Sequence, residues 1–243
     1  MLKKILENIK TLLIALVIAL IIRSFFFHPF YIPSSSMEPT LLIGDRIFAS
    51  KYSYGYSKHS FPFSPPIIKD RIFFSKPEYG DLVIFKTPTD NRTDYIKRLI
   101  GFPGDKIQII KGNIYLNDKI ILREKLESNI KTRCGGNIYQ DVNAYEETLP
   151  NGKKYVAAYK KLGTMVNTDE YVVPEKHYFL LGDNRDCSRD SRFLSSVGYV
   201  HENNLIGKAR LIFFSNDTIK GSFLKFWNWN NSIRFDRFLN KLK

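Results

Sequence analysis

Three stretches of this sequence hold side chains able to do covalent or acid–base chemistry. In residues 31–41, YIPSSSMEPTL, three successive serines, Ser34, Ser35 and Ser36, lie between Pro33 and Pro39. A serine hydroxyl is a poor nucleophile until a neighbouring base takes its proton, and alone the stretch also reads as a polar linker. In residues 94–105, DYIKRLIGFPGD, Lys97 and Arg98 are adjacent within an apolar run. An extended strand puts Lys97 on one face with Tyr95 and Leu99, and Arg98 on the other with Ile96 and Ile100. One of the two cations must then point into apolar surroundings, unless both faces are exposed. Burial disfavours an ammonium, so a buried lysine becomes available as a neutral base, whereas arginine stays charged. A surface lysine is the alternative. In residues 182–192, GDNRDCSRDSR, three aspartates, three arginines and two serines follow a glycine. That density suits an ion-pair and hydrogen-bond network bracing a site; a solvated loop or a cation site are the alternatives, the second weakened because the arginines already balance the aspartates.

Other chemistries find little support. His28, His59, His177 and His201 have no metal-ligand spacing, and the chain has neither a Gly-x-Ser-x-Gly elbow nor a phosphate-cradling glycine loop. Two cysteines in 243 residues exclude a four-cysteine zinc site and a disulfide-built scaffold. No metal and no cofactor are expected. With 44% hydrophobic and 25% charged residues, the chain is neither a disordered tail nor a polytopic membrane protein.

The elements that must position these residues are mostly strands. The N-terminus differs: residues 11–22, TLLIALVIALII, carry no charge, and flanking Ile5, Leu6, Ile9 and Phe25, Phe26, Phe27 lengthen the run towards a bilayer span. Lys3, Lys4 and Lys10 precede it, which orients the N-terminus to the cytoplasm. The sequence after Ile22 lacks a small-x-small cleavage pattern, so an uncleaved anchor is expected over residues 1–27, rather than a removed signal peptide or a core helix. Residues 28–243 then form an extracytoplasmic domain. Its apolar runs at 81–85, 106–110, 113–116, 119–122, 177–181 and 209–214 are short and separated by turn residues, with no sustained helical period between 30 and 215. Proline-rich 52–70 and polar, turn-rich 124–170 read as insertions, the latter part of a second lobe over 107–175. The C-terminal stretch from Phe223 mixes Phe226, Trp227, Trp229, Phe235 and Phe238 with Lys225, Arg234, Arg237, Lys241 and Lys243. It reads equally as a membrane-interface segment or as a last element packed on the core.

Taken together and in this order, the motifs resemble the boxes of bacterial type I signal peptidases (leader peptidases). Pro33–Leu41 resembles P-S-x-S-M-x-P-T-L, residues 80–85 resemble G-D-x-V-x-F, residues 95–105 resemble Y-I-K-R-x-x-G-x-P-G-D, and residues 182–192 resemble G-D-N-R-D-x-S-x-D-S-R. The resemblance runs from about Arg23 to Phe214 and implies an all-β fold of mostly antiparallel sheets, with one N-terminal transmembrane helix and an inserted β-rich lobe. It implies a membrane-bound serine endopeptidase cleaving signal peptides from exported preproteins. By position, Ser36 is the nucleophile and Lys97 the general base. Ser34 and the Ser36 backbone N–H form the oxyanion hole, and Ser188 hydrogen-bonds and orients Lys97. Arg98, Asp183, Arg185, Asp190 and Arg192 brace the site, while Ile32, Pro33, Tyr95 and Ile96 line shallow pockets for small substrate residues. An exposed apolar patch near residues 30–45 is expected against the membrane, and substrate is expected as an added strand. Cys187 stands beside Ser188 and Cys134 in the inserted lobe, and whether they pair is left open.

The implied partners are signal-peptide-bearing preproteins, the bilayer of the bacterial inner membrane with its anionic lipid, and the export translocon. Nucleic acid is not among them. The net charge of +13 points the same way: residues 1–30 contribute +3 and 216–243 contribute +4, so over half the excess lies at the two ends. The rest forms no nucleic-acid motif. A self-cleaving repressor-type protease would need a DNA-binding domain ahead of the site, where this chain has only an apolar run.

Overall fold

The computed structural model describes residues 2–66, 68–128, 130–136, 138–160, 165–221 and 226–242; Phe223, Lys225 and Lys243 of the aromatic-basic segment lie outside them. The chain opens with α1 (Leu2–Ile21), which runs into a wider helical turn over Ile22–Phe26. The apolar span Lys3–Phe26 has 24 residues, about 36 Å at 1.5 Å per residue, enough for a hydrocarbon core of about 30 Å. Its large apolar side chains, from Ile5 to Ile22, are all exposed among the described residues.

Strands follow: β1 (Phe27–Tyr31), β2 (Asp45–Ser50), β3 (Leu82–Lys86), β4 (Asp94–Gly101), β5 (Lys106–Ile110), β6 (Asn113–Leu116), β7 (Lys119–Ile120) and β8 (Leu122–Lys125). After these come β9 (Ile130–Arg133), β10 (Tyr139–Thr148), β11 (Lys154–Tyr159), β12 (Tyr171–Val172), β13 (His177–Leu181), β14 (Val200–His201), β15 (Leu205–Ser215) and β16 (Asn240–Lys241). The main sheet runs β1-β2-β15-β3-β4-β13-β14, with β16 added on β15. A second sheet runs β11-β10-β8 with β9 also on β10, and a third runs β12-β5-β6-β7. Every pairing between these strands is antiparallel, so the expected mostly antiparallel β fold is the one found.

Strand register explains the core. In β3 (LVIFK) the first four residues are buried, and β4 buries five consecutive positions from Lys97 to Gly101. A strand buried on both faces reads as continuous rather than alternating apolar sequence. One core joins Ile100, Phe179 and Leu181 of the main sheet to Ile107, Ile109, Ile114 and Leu116 of the meander and Tyr155 and Ala157 of β11. Another packs Ile32, Met37 and Leu41 of the serine loop against Ile47, Leu82 and Ile84.

Several details depart from the sequence reading. The inserted lobe is β-rich as expected, but its individual strands, the ten-residue β10 and its partner β11, are not marked by the polar stretch 124–170; β10 buries Val142, Ala144 and Glu147 among polar neighbours. The exposed apolar patch does not fill residues 30–45, where Ile32, Met37 and Leu41 are buried because the loop folds inward. Within that range the large apolar side chain left exposed is Tyr31, and the exposed patch extends from it to the earlier Phe25, Phe26 and Phe27 and to the 52–74 loop, where Phe63 and Phe73 stand out. That loop is fastened by Arg71, which donates to the carbonyls of Tyr54, Gly55 and Glu202. Phe25, at the end of the apolar span, makes edge contacts with Tyr56 and Phe61 of the same loop. The C-terminal segment packs on the core: Ile233 is buried, Phe238 meets Phe214, and Arg237 forks onto the buried Asp45 at 2.6 and 3.1 Å. Trp227 and Phe235 remain exposed.

Candidate active site

Ser36 stands in the loop between β1 and β2. The loop base is closed by Ile32 N–H donating to Asp45 O and Gly44 N–H donating to Ile32 O. Its interior is anchored by Met37 and Leu41, both fully buried, and the Glu38–Pro39 peptide is cis. With Met37 and Leu41 buried on its C-terminal side, Ser36 is held inward, 9% exposed, against β4. Lys97 of β4 donates from Nζ to Ser36 Oγ at 2.6 Å, and Ser34 Oγ lies 3.3 Å from Ser36 Oγ. Among the described residues no acceptor is bonded to the Ser36 N–H.

The two adjacent cations of β4 resolve differently from the sequence expectation: both are buried, Lys97 at 3% and Arg98 at 2% exposure. Their faces differ in what answers the charge. Arg98 forks onto Asp183, Nε to Oδ1 at 2.8 Å and Nη2 to Oδ2 at 2.7 Å. Lys97 has no carboxylate in contact among the described residues. Burial lowers its pKa from 10.5 to about 8, only partly offset by the more distant Asp190 and Asp183. A lysine so placed is partly neutral near physiological pH, as a base paired with a serine must be.

The aspartate-arginine loop is a braced frame. Arg192 forks onto Asp190 at 2.8 Å twice, and Gly182 N–H donates to Asp190 Oδ2. Burial pushes the Asp190 carboxyl up, but Arg192 and the Gly182 amide outweigh it, and the group lies below its ordinary value. Arg185 reaches into the second sheet, where it forks onto Glu147 of β10 at 2.9 and 2.7 Å and donates to Tyr159 and Tyr155. Asn184, not among the residues predicted for the site, clamps the serine loop: its backbone N–H donates to Ser36 O and its side-chain amide to both Ser35 O and Arg133 O. Gly182 permits this approach, since a Cβ there would stand 2.5 Å from Ser36 O and 2.4 Å from Ser188 Cβ.

Ser188 does not make the expected hydrogen bond to Lys97. Its Oγ is buried without a partner among the described residues, and it lies 2.1 Å from where a Cβ on Gly182 would stand. What lies on Lys97 besides Ser36 is the ring of Tyr95, 5.4 Å from Nζ.

Two further links escaped the sequence reading. Glu38, two residues after Ser36, accepts from Arg133 N–H at 2.7 Å and from Arg133 Nε at 2.9 Å, both side chains fully buried. Next to Arg133, Cys134 is joined to Cys187 by a disulfide closing a separation of 53 residues. The lobe is thus tied covalently to the loop preceding Ser188. Cross-linking a loop of that length removes about 4 kcal/mol of unfolded-chain entropy in the loop-closure model. Replacing Cys134 by serine is therefore expected to lower stability by up to that amount, read as the difference in urea unfolding between oxidised wild type and variant.

A cavity of about 330 Å³ opens beside Ser36 and Lys97, walled by Ile32, Pro33, Tyr95 and Ile96 together with Met37 and Ile84. β13 pairs β4 only at Arg98, Leu99 and Gly101. On that side the Asp94–Lys97 backbone has no strand partner among the described residues, leaving a short free edge next to the serine loop.

A family model described as "Signal peptidase, peptidase S26" matches residues 5–214. A signal peptidase I of Rickettsia bellii is 45% identical, covering 96% of this chain and 84% of its own. A signal peptidase I of Rickettsia typhi is 44% identical, with 93% and 89% covered. A solved signal peptidase I from Enterococcus faecalis is 26% identical, covering 55% of this chain and 97% of its own, with a TM-score of 0.32.

Proposed function

The chain belongs to the S26 signal peptidase family of serine peptidases, and from that premise we propose that it is held in the bacterial cytoplasmic membrane by α1 and removes signal peptides through a Ser36–Lys97 pair. The observation that carries the pair is the 2.6 Å contact between a buried lysine and a serine hydroxyl with no histidine in the cavity around them.

In this mechanism neutral Lys97 takes the Ser36 proton as Oγ attacks the scissile carbonyl carbon. The new C–O bond pushes the carbonyl electrons onto oxygen. The Ser34 hydroxyl and the Ser36 N–H donate to that oxyanion, and fixed donors of this kind are worth roughly 3–4 kcal/mol each. Collapse breaks the C–N bond, and the Lys97 ammonium returns its proton to the leaving amine. Lys97, neutral again, then activates water to hydrolyse the acyl-enzyme. Arg98, Asp183, Arg185, Asp190 and Arg192 hold the loop against the serine, while Tyr95 and Ser36 orient the amine. Ser188 supplies a buried hydroxyl on that loop.

Substrate is read as an extended segment lying along the free Asp94–Lys97 edge. The modest cavity walled by Ile32, Pro33, Tyr95 and Ile96 favours small side chains before the cleaved bond. The N-terminal end of α1, with Lys3 and Lys4, lies in the cytoplasm and the catalytic domain outside it, where preproteins emerge from the export translocon and a disulfide is stable.

The test is cleavage of a preprotein carrying an Ala-x-Ala site by the full chain in detergent. Only the neutral lysine can act as base, so kcat/KM is expected to rise with pH with a midpoint near the Lys97 value of about 8 and then level off. A profile flat from pH 6 to 9 would remove Lys97 from the base role.

A further inference from the structure

We propose that a second cavity, separate from Ser36, binds the phosphodiester headgroup of an anionic phospholipid where the apolar helix leaves the membrane. It encloses about 510 Å³ between the end of that helix, β1, the 58–64 loop and the 86–94 turn. Its cations are Arg23, Lys51, Lys58, Lys86 and Arg92, against the carboxylates Asp90 and Asp94. Asp94 already pairs with Lys86 at 2.7 Å, and Asp90 is occupied by Thr87, Thr93 and backbone amides of its own turn. Among the described residues Arg23, Lys51, Lys58 and Arg92 have no ion-pair partner. Four cations with no ion pair of their own, gathered around one cavity that holds only two carboxylates, call for an anion.

Two imidazoles, one buried and one half-buried, add ring nitrogens. His59 is 5% exposed with its Nε2 unpaired, and His28 Nδ1 is likewise buried without a partner; both rings line the cavity. Burial first, then the surrounding lysines and arginines, lowers both histidines to about 4, and burial with Arg23 lowers Lys51 to about 8. A bound anion would relieve that mutual repulsion.

The position selects a lipid over a free ion. Arg23 belongs to the apolar span itself, and Phe61, Pro62 and Phe63 form an apolar rim, with Phe63 fully exposed. A diester carried on acyl chains satisfies both the cationic interior and the rim. The geometry is of a headgroup seat that fixes the height of the catalytic domain above the bilayer. This rests on membrane attachment and not on the serine-lysine chemistry, so lipid retention is read without cleavage.

Full-length protein in a nonionic detergent is mixed with equimolar phosphatidylglycerol and phosphatidylcholine, and retained lipid is counted by native mass spectrometry. One phosphatidylglycerol is expected per chain, at least tenfold over phosphatidylcholine. Lys58→Glu with Arg92→Glu, both outside the buried core, is expected to abolish that preference. Lys241→Glu on the C-terminal strand, and Ser36→Ala, are expected to leave it unchanged. Equal retention of the two lipids would overturn the site, as would a preference surviving the double reversal. Competition by an equal concentration of inorganic phosphate would make it a free-anion site. A double reversal that changes only the KM of the preprotein would reassign it to peptide binding.

Discussion

Lys97→Met is expected to abolish cleavage and at the same time stabilise the fold. The loss of activity follows from chemistry: without a base on Ser36 Oγ, kcat/KM should drop by at least about 10⁴-fold, and Ser36→Ala should drop it equally because the two act as a unit. The gain in stability follows from linkage. Lys97 has a folded pKa of about 8 against an ordinary 10.5, so burying it disfavours the charged form. Below pH 8 the amine is protonated in both states and the folded state carries the full penalty, about 3 kcal/mol at 1.4 kcal/mol per unit. Between pH 8 and 10.5 the folded state sheds its proton before the unfolded state does, and the penalty disappears. Methionine also forfeits the bond to Ser36 Oγ, about 1 kcal/mol. At pH 7 the variant should therefore be more stable by about 2 kcal/mol, with the advantage vanishing as pH rises past 10. Urea unfolding at pH 7 and pH 10 beside the cleavage assay checks both halves. A variant that is less stable than wild type at pH 7 would mean that Lys97 is not the strained, desolvated amine proposed as base.

The parts of this molecule legible in the sequence are those fixed by local residue pattern. The four successive buried positions of β3 are written as an unbroken apolar run, and in β4 Leu99 and Ile100 continue such a run after two cations. The serine, lysine and aspartate-arginine motifs could be placed in order, and the structure brings them within hydrogen-bond reach of one another. What the pattern does not carry is which charges are buried. Arg98 meets Asp183 across 85 residues, Arg133 meets Glu38 across 95, and Arg185 meets Glu147 across 38. A polar strand such as β10 reads as solvated because hydrophobicity cannot reveal that a carboxylate will be neutralised in the interior by a partner so distant. The hydroxyl of Ser188 is a further case, since residue type and position say nothing of its rotamer. The C-terminal arginines show the converse: Arg234 and Arg237 look like a lipid-facing surface, yet both face Asp45.

Glu147 is where that hidden layer can be weighed. Its carboxylate is 1% exposed and takes two hydrogen bonds from Arg185 and one each from Tyr155 and Tyr159. Glu147→Ala would leave the Arg185 guanidinium, 2% exposed, facing two neutral phenols and no counter-charge. Removing one partner of a buried pair costs about 3–5 kcal/mol, a large share of the 5–15 kcal/mol that holds a domain together. Replacing both, Glu147→Leu with Arg185→Met, removes the stranded charge and is expected to return stability to within about 1 kcal/mol of wild type. Cleavage should not return with it. Arg185 also donates to Gly182 O, and its own carbonyl receives Arg192. Without the guanidinium, the loop that carries Asn184 against Ser36 O is no longer pinned to the second sheet. A fall of about tenfold to a hundredfold in kcat with little change in KM is expected in the double variant, the signature of a misplaced catalytic group and not of lost binding. Full recovery of kcat in the double variant would reduce the Glu147–Arg185 pair to a purely structural contact. A double variant as unstable as Glu147→Ala would show that packing of the two tyrosines, and not the stranded charge, sets the cost.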